Sequence, residues 1–134
     1  MCIKRLFSLF VLASFPLVAS ADLTIENHTK FDSTSIINGG ACSNALGEPG
    51  ISRGGLPPLV VPDSLIKLAC GKEKINNCVA DVYMTNNCSG KKVGTVKFSI
   101  ISGTLSVTQN PDSPFRITSA IHSFKFSLDG GPTA

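Results

Sequence analysis

The stretch of sequence that decides the fold is VGTVKFSIISGTLSVTQ, residues 93–109. Apolar and polar side chains alternate through its first half, and a second alternating run begins after Gly103. Period-two patterning is typical of a strand with one buried face, and a glycine between two such runs is typical of a hairpin. The predicted apolar face of the first strand carries Val96, Phe98 and Ile100.

Similar short runs occur on both sides of this hairpin. Residues 23–26, 33–38 and 78–85 alternate or are rich in β-branched side chains, and no helical stripe is evident. The apolar residues of 115–117 and of 124–128 have opposite parity, which predicts a bend near residues 121–123. About seven to nine short strands indicate an all-β fold, namely a small antiparallel β-sandwich or a small barrel.

The first 21 residues have the features of a secretory signal peptide. Lys4 and Arg5 precede an apolar run from Leu6 to Val18, and Ala19-Ser20-Ala21 supplies an A-x-A cleavage site. The run is too short to span a membrane. We therefore predict a signal peptide over 1–21, a single domain over 22–134, and a secreted or periplasmic location without a lipid anchor.

Removal of the signal changes both the charge and the cysteine count. The whole chain has net charge +3 and five cysteines. Loss of Lys4, Arg5 and Cys2 leaves ten basic against nine acidic residues, and four cysteines. A nearly neutral domain argues against nucleic-acid binding, which needs a basic face. No membrane-spanning segment and no cofactor or metal motif is expected in the mature domain.

Four cysteines in an exported domain predict two disulfides. The spacings between them do not fit the short ligand pairs of a zinc site. If Ser64–Cys70 and residues 78–85 form a hairpin, the cysteines that flank its turn project into one core. This arrangement favours Cys70–Cys78 and, by elimination, Cys42–Cys88.

Residues 38–58 form the one long segment that does not resemble a strand. It holds six glycines and three prolines, and long loops in compact domains are often functional. We predict that this loop and the hairpin tip at residues 86–92 are contact loops of a binding module, which would be monomeric and not an enzyme. The candidate contact residues are Ser43, Asn44, Glu48, Ser52, Arg53, Lys91 and Lys92.

Two other functions stay open. A small secreted hydrolase could use His122 or His28 with a serine and an acid, although no spacing requires it. Gly50–Gly54 matches G-x-S-x-G, but Pro57 and Pro58 follow, so the helix that this motif needs cannot form there. A structural, pilin-like sandwich that accepts a donated strand at an open edge is the other alternative.

Two stretches carry a resemblance to known proteins. Residues 33–43 and 80–90, together with the Pro62-Asp63-Ser64 turn, resemble small exported proteins of intracellular gammaproteobacteria. No activity is established for these proteins, so the resemblance implies no catalytic residue. It implies a bacterial protein of the periplasm or the exterior, with an unknown protein or surface partner that could come from a host.

Overall fold

The computed structural model describes residues 22–132, so the predicted signal peptide lies outside the described residues. Within this range the chain forms eight strands, one α-helix and three short 3-10 turns. The 3-10 turns lie at Ser43–Leu46, Glu48–Gly50 and Lys72–Lys74. The helix is α1 (Asp63–Cys70), and the strands are β1 (Leu23–Asn27), β2 (Thr34–Ile37), β3 (Leu59–Val61), β4 (Cys78–Tyr83), β5 (Lys92–Ser99), β6 (Gly103–Gln109), β7 (Phe115–Thr118) and β8 (Lys125–Gly130).

The strands form two four-stranded sheets, in the orders β3-β1-β8-β7 and β2-β4-β5-β6. Residues from both sheets make up one hydrophobic core, so the all-β prediction is confirmed and, of its two architectures, the chain forms the sandwich and not the barrel. The sandwich is not wholly antiparallel, because β8 pairs in parallel with β1. Parallel strands need a long connection, and here nearly the whole domain connects them.

The hairpin predicted over residues 93–109 is confirmed as β5 and β6. Val96, Phe98 and Ile100 are at most 7% exposed, so the predicted apolar face is buried. The register shifts between Lys97 and Phe98, which leaves Leu105 of β6 without a partner and 39% exposed. A bulge of this kind interrupts the alternation of buried and exposed side chains.

The expectation for Ser64–Cys70 was wrong, because this segment is α1 and not a strand. Pro62 fixes the extended entry to the helix, and Lys67 pairs with Asp63 one turn back at 2.9 Å. Ile66 and Cys70, four residues apart, are buried on one face, whereas Leu68 is 71% exposed. In a strand, every second side chain lies on the same face, so all three would be buried together. In a helix, with 3.6 residues per turn, Leu68 lies on a different face from the other two.

In the last part of the chain, the apolar residues change from odd to even positions. This change coincides with the turn between β7 and β8. Residues 119–124 form this turn, and His122 adopts a left-handed backbone with φ of 66°. Ile117 on β7 and Phe126 and Leu128 on β8 are therefore all buried. The predicted bend is a complete chain reversal.

Both predicted disulfides are present. Cys70–Cys78 has a Cα–Cα distance of 5.6 Å and joins the end of α1 to the start of β4. Cys42–Cys88 has a Cα–Cα distance of 5.9 Å and joins the long loop to the tip between β4 and β5. The first pairing was correct although its premise, a strand hairpin, was not.

We expect the two disulfides to contribute unequally to stability. Loop-closure entropy predicts a loss of about 4 kcal/mol when Cys42–Cys88 is removed and about 2.5 kcal/mol when Cys70–Cys78 is removed, because the first closes a much longer loop. Denaturant unfolding of the Cys42→Ser/Cys88→Ser and Cys70→Ser/Cys78→Ser variants measures both values. A larger loss for the second variant would contradict this ranking.

Candidate functional site

The loop at residues 38–58 follows a defined path along the side of β2. Ser33 and Ser52 exchange backbone hydrogen bonds of 2.8 and 2.9 Å, and Cys42 forms an isolated bridge with Ile36. Two 3-10 turns fill the segment between these contacts. Backbone pairing at both ends holds the loop against the sandwich.

Ser43 and Gly50 hold the middle of the loop together. The Ser43 hydroxyl donates to the Gly50 carbonyl at 2.6 Å and accepts from the Ser35 amide at 2.9 Å. A Cβ on Gly50 would lie 1.8 Å from the Ser43 carbonyl oxygen, so only glycine fits this approach. Ser43, a predicted contact residue, is therefore engaged inside the loop.

Arg53 joins two carboxylates at the loop surface. Its Nη1 lies 2.8 Å from Asp32 Oδ2, while Nη2 and Nε contact the two oxygens of Glu48 at 2.7 and 3.2 Å. This is a bidentate arginine–carboxylate pair, which fixes orientation as well as charge. Hydrogen bonding and the charge of Arg53 lower the pKa of Glu48, and hydrogen bonds to Glu48 and Asp32 raise the pKa of Arg53.

The two predicted contact loops meet in space. The Cys42–Cys88 disulfide joins them covalently, and Asn44 Nδ2 donates to the Asn86 carbonyl at 3.1 Å. Nearly fifty residues of sequence separate the disulfide partners. We call the resulting area the loop-tip surface, and we define it by the side chains of Asn44, Glu48, Arg53, Asn86 and Asn87.

Besides Ser43, three of the predicted contact residues do not belong to this surface. Ser52 is 4% exposed and is held by backbone pairing, so it is a structural residue. Lys91 Nζ contacts the Asp112 carbonyl at 3.3 Å, and Lys92 Nζ contacts the Asp81 carboxylate at 3.4 Å. The two lysines are therefore engaged with other parts of the domain and not with the long loop.

An open groove of about 430 Å³ lies next to the loop-tip surface. Glu48 and Arg53 contribute its polar side. Its apolar side includes Leu56 and Val60, which are 59% and 53% exposed. Apolar side chains beside a paired arginine and carboxylate are typical of protein-recognition surfaces, which combine apolar anchors with a polar rim.

Neither histidine is placed like a general base beside a nucleophile. His28 Nδ1 lies 2.8 Å from Asp129 Oδ1, and its Nε2 lies 3.6 Å from Glu26. His122 Nδ1 lies 3.0 Å from the Ser102 carbonyl oxygen. Within residues 22–132, no hydrogen bond connects either ring to a serine hydroxyl.

That region likewise shows no cluster of three or more possible metal ligands, and no helix long and apolar enough to cross a membrane.

Asn27 was not among the predicted site residues, yet its buried side chain hydrogen-bonds to Ser52 of the long loop. This side chain is 4% exposed; its amide donates to the Phe31 and Ser52 carbonyls at 2.7 and 3.1 Å. Its oxygen accepts from the Thr29 amide and hydroxyl at 3.0 and 2.7 Å. Asn27-His28-Thr29 has the form of a short Asx turn after a strand, and that was the available signal.

We expect Asn27→Ala to destabilise the domain by about 2–3 kcal/mol, because it removes four hydrogen bonds and leaves the Thr29 amide without its acceptor. Denaturant unfolding measures the loss. The exposed Asn86→Ala change is the control and should alter the free energy of unfolding by less than about 0.5 kcal/mol. Equal effects of the two variants would contradict the structural role of Asn27.

The Arg53–Glu48 pair predicts a specific pH response. In Arg53→Gln, the pKa of Glu48 should rise towards its ordinary value of about 4.3. Because the pair lowers the pKa of Glu48 in the folded protein, its contribution is complete above the ordinary pKa and is lost as the pH falls through the lower one. Carboxyl NMR titrations of both proteins test this, and superimposable curves would contradict it.

Comparison with known proteins agrees with this architecture. The crystal structure of the Legionella pneumophila type II secretion system substrate NttC superimposes with a TM-score of 0.63 and 20% sequence identity. The match covers 84% of this chain and 100% of that chain, and at this identity it shows the shared fold. No curated protein sequence matches the chain. The family model described as "T2SS substrate NttC" matches residues 1–121. Because this match spans most of the chain, the protein belongs to the NttC family of type II secretion system substrates.

Proposed function

We propose that this exported protein is a non-enzymatic binding module whose loop-tip surface and adjoining groove contact a protein partner. Membership of the NttC family shows that it is exported by way of the periplasm. The observation that carries the proposal is the union of the two loops by Cys42–Cys88 and by the Asn44–Asn86 hydrogen bond. This union produces one continuous surface from two distant segments.

The internal bonding of the loop supports recognition by a preformed surface. A loop with six glycines would ordinarily lose much conformational entropy on binding. Here Ser43, Arg53 and the disulfide hold its conformation before a partner arrives. Preorganisation of this kind increases affinity because less ordering remains to be done on association.

The groove supports a protein as the partner. Leu56 and Val60 supply exposed apolar area, and Glu48 and Arg53 supply one charge of each sign beside it. A paired, mixed-sign rim suits a protein surface better than a polyanion, which would require several unpaired cations. Export makes a host-derived protein a suitable candidate.

The hydrolase alternative has less support. His28 has acidic neighbours but is 54% exposed at its side chain, and His122 contacts a backbone carbonyl. A serine hydrolase needs the base within hydrogen-bond reach of its nucleophile and a donor set for the oxyanion. The described contacts of both rings go elsewhere.

The pilin-like alternative also has less support, because the sheet edges are blunted. β3 has three residues between Pro58 and Pro62, which lack amide donors. The Gln109 side chain bonds the Ile117 backbone beside β7, and the loop bridges β2 at Ile36. Short, proline-flanked or covered edges resist strand addition, and we therefore keep the prediction of a monomer.

A photocrosslinking experiment tests the proposal. A benzophenone amino acid at position 44 should crosslink the mature protein to a discrete partner from host-cell extract, whereas the same group at position 97, exposed in the middle of β5, should not. Glu48→Ala/Arg53→Ala should reduce the crosslink roughly tenfold or more, since arginine is enriched among the few residues that dominate binding at interfaces. Lys97→Ala is the matched control.

The Gly50→Ala variant adds a test of loop shape. It changes none of the side chains that define the loop-tip surface, but its Cβ would clash with the carbonyl oxygen of Ser43 and so alter the shape of the loop. We expect it to lose the crosslink as well. A double variant that crosslinks like the wild type, or an equal crosslink from position 97, would refute the proposed contact surface.

A further inference from the structure

A cavity of about 110 Å³ lies inside the sandwich, under α1 and the long loop. Its deep wall contains buried residues of both sheets, among them Val82 and Phe126. Its outer wall contains Ala69 of α1 and Leu46 and Pro49 of the loop, all of them partly exposed. The cavity therefore extends from the core to the protein surface.

Most of the residues that line this cavity are apolar, and within the described part of the chain no charged residue contributes to it. Five hydroxyl residues contribute to its edge, and three of their hydroxyl groups are already used. Ser33 donates to the Tyr83 carbonyl, Thr34 to the Thr85 carbonyl and Ser43 to the Gly50 carbonyl, at distances of 2.6–2.8 Å. A polar ligand would lose its hydration and find few partners, so an apolar group binds more favourably.

The volume limits the size of that group. An apolar cavity of about 150 Å³ in another protein stays dry and binds benzene. The present cavity is smaller and opens at one side, so it suits a narrow chain whose remaining length continues outwards. We propose that it binds the methyl end of an unbranched alkyl chain, with the head group left at the surface near Leu46 and Pro49.

This inference does not depend on the proposed protein partner. The alkyl site uses the inner side of the loop and the core, whereas the loop-tip surface uses exposed side chains such as Glu48 and Arg53. Because the outer wall carries no charge, the head group is not specified. The chain could come from a free fatty acid or from a membrane phospholipid, and the two sources need separate tests.

Methyl NMR of the mature protein with sodium dodecanoate below its micelle concentration tests the first source. We expect saturable shifts at the methyl groups that line the cavity, and NOEs from the ligand's terminal methyl to Val82 and Phe126. Sedimentation with phosphatidylcholine vesicles tests the second source. Ala69→Leu should fill the cavity and weaken binding at least tenfold, while the exposed Ala120→Leu is the matched control and should bind like the wild type.

Each result of these two experiments either supports one source of the alkyl chain or overturns the site. Cavity NOEs with dodecanoate support a free fatty acid, and vesicle binding that Ala69→Leu abolishes supports a phospholipid chain. If neither ligand binds, or if Ala120→Leu weakens binding as much as Ala69→Leu, the proposal fails. Should Ala69→Leu not fold, the wild-type NOEs decide alone, and contacts confined to the outer residues Leu56 and Val60 would overturn the site.

Discussion

The open edge of the sandwich is the constraint on which the rest of the structure depends. At one side, β7 lies against β5 and β6, so the sheets meet there. At the opposite side, β3 and β2 are the terminal strands of the two sheets, and the apolar residues between them need a cover. Helix α1 and the long loop supply it, since exposed apolar area of this kind would otherwise be unfavourable.

Both disulfides attach this cover to the second sheet. Cys70–Cys78 fixes the end of α1 at β4, and Cys42–Cys88 fixes the loop at the β4–β5 tip. The cover carries the features of functional interest: the loop-tip surface on its outer side and the cavity on its inner side. A small domain has a modest core, so covalent attachment compensates for limited burial.

The predictions that succeeded concern side chains whose burial follows from the residues next to them in the sequence. In β5 apolar and polar residues alternate, and the predicted apolar face of Val96, Phe98 and Ile100 is buried. Prediction failed at α1, whose eight residues also fit a strand pattern, because so short an apolar run does not distinguish the two periods. For the candidate site, the two loops were predicted, but the partners that Ser43, Ser52, Lys91 and Lys92 have inside the domain were not. Their partners, such as Asp81 and Asp112, become neighbours only in the folded sheet.

The sequence by itself determined an exported, nearly neutral, disulfide-bonded all-β domain, either a sandwich or a small barrel, because charge, cysteine count and period-two patterning are local or additive properties. Only the tertiary structure decided that β1 and β8 pair in parallel, that Asn27 supports the loop, and that two distant loops form one surface. The physical reason is sequence separation. These contacts join segments dozens of residues apart, and burial of a shared core selects them from many alternatives that local patterns leave equally possible.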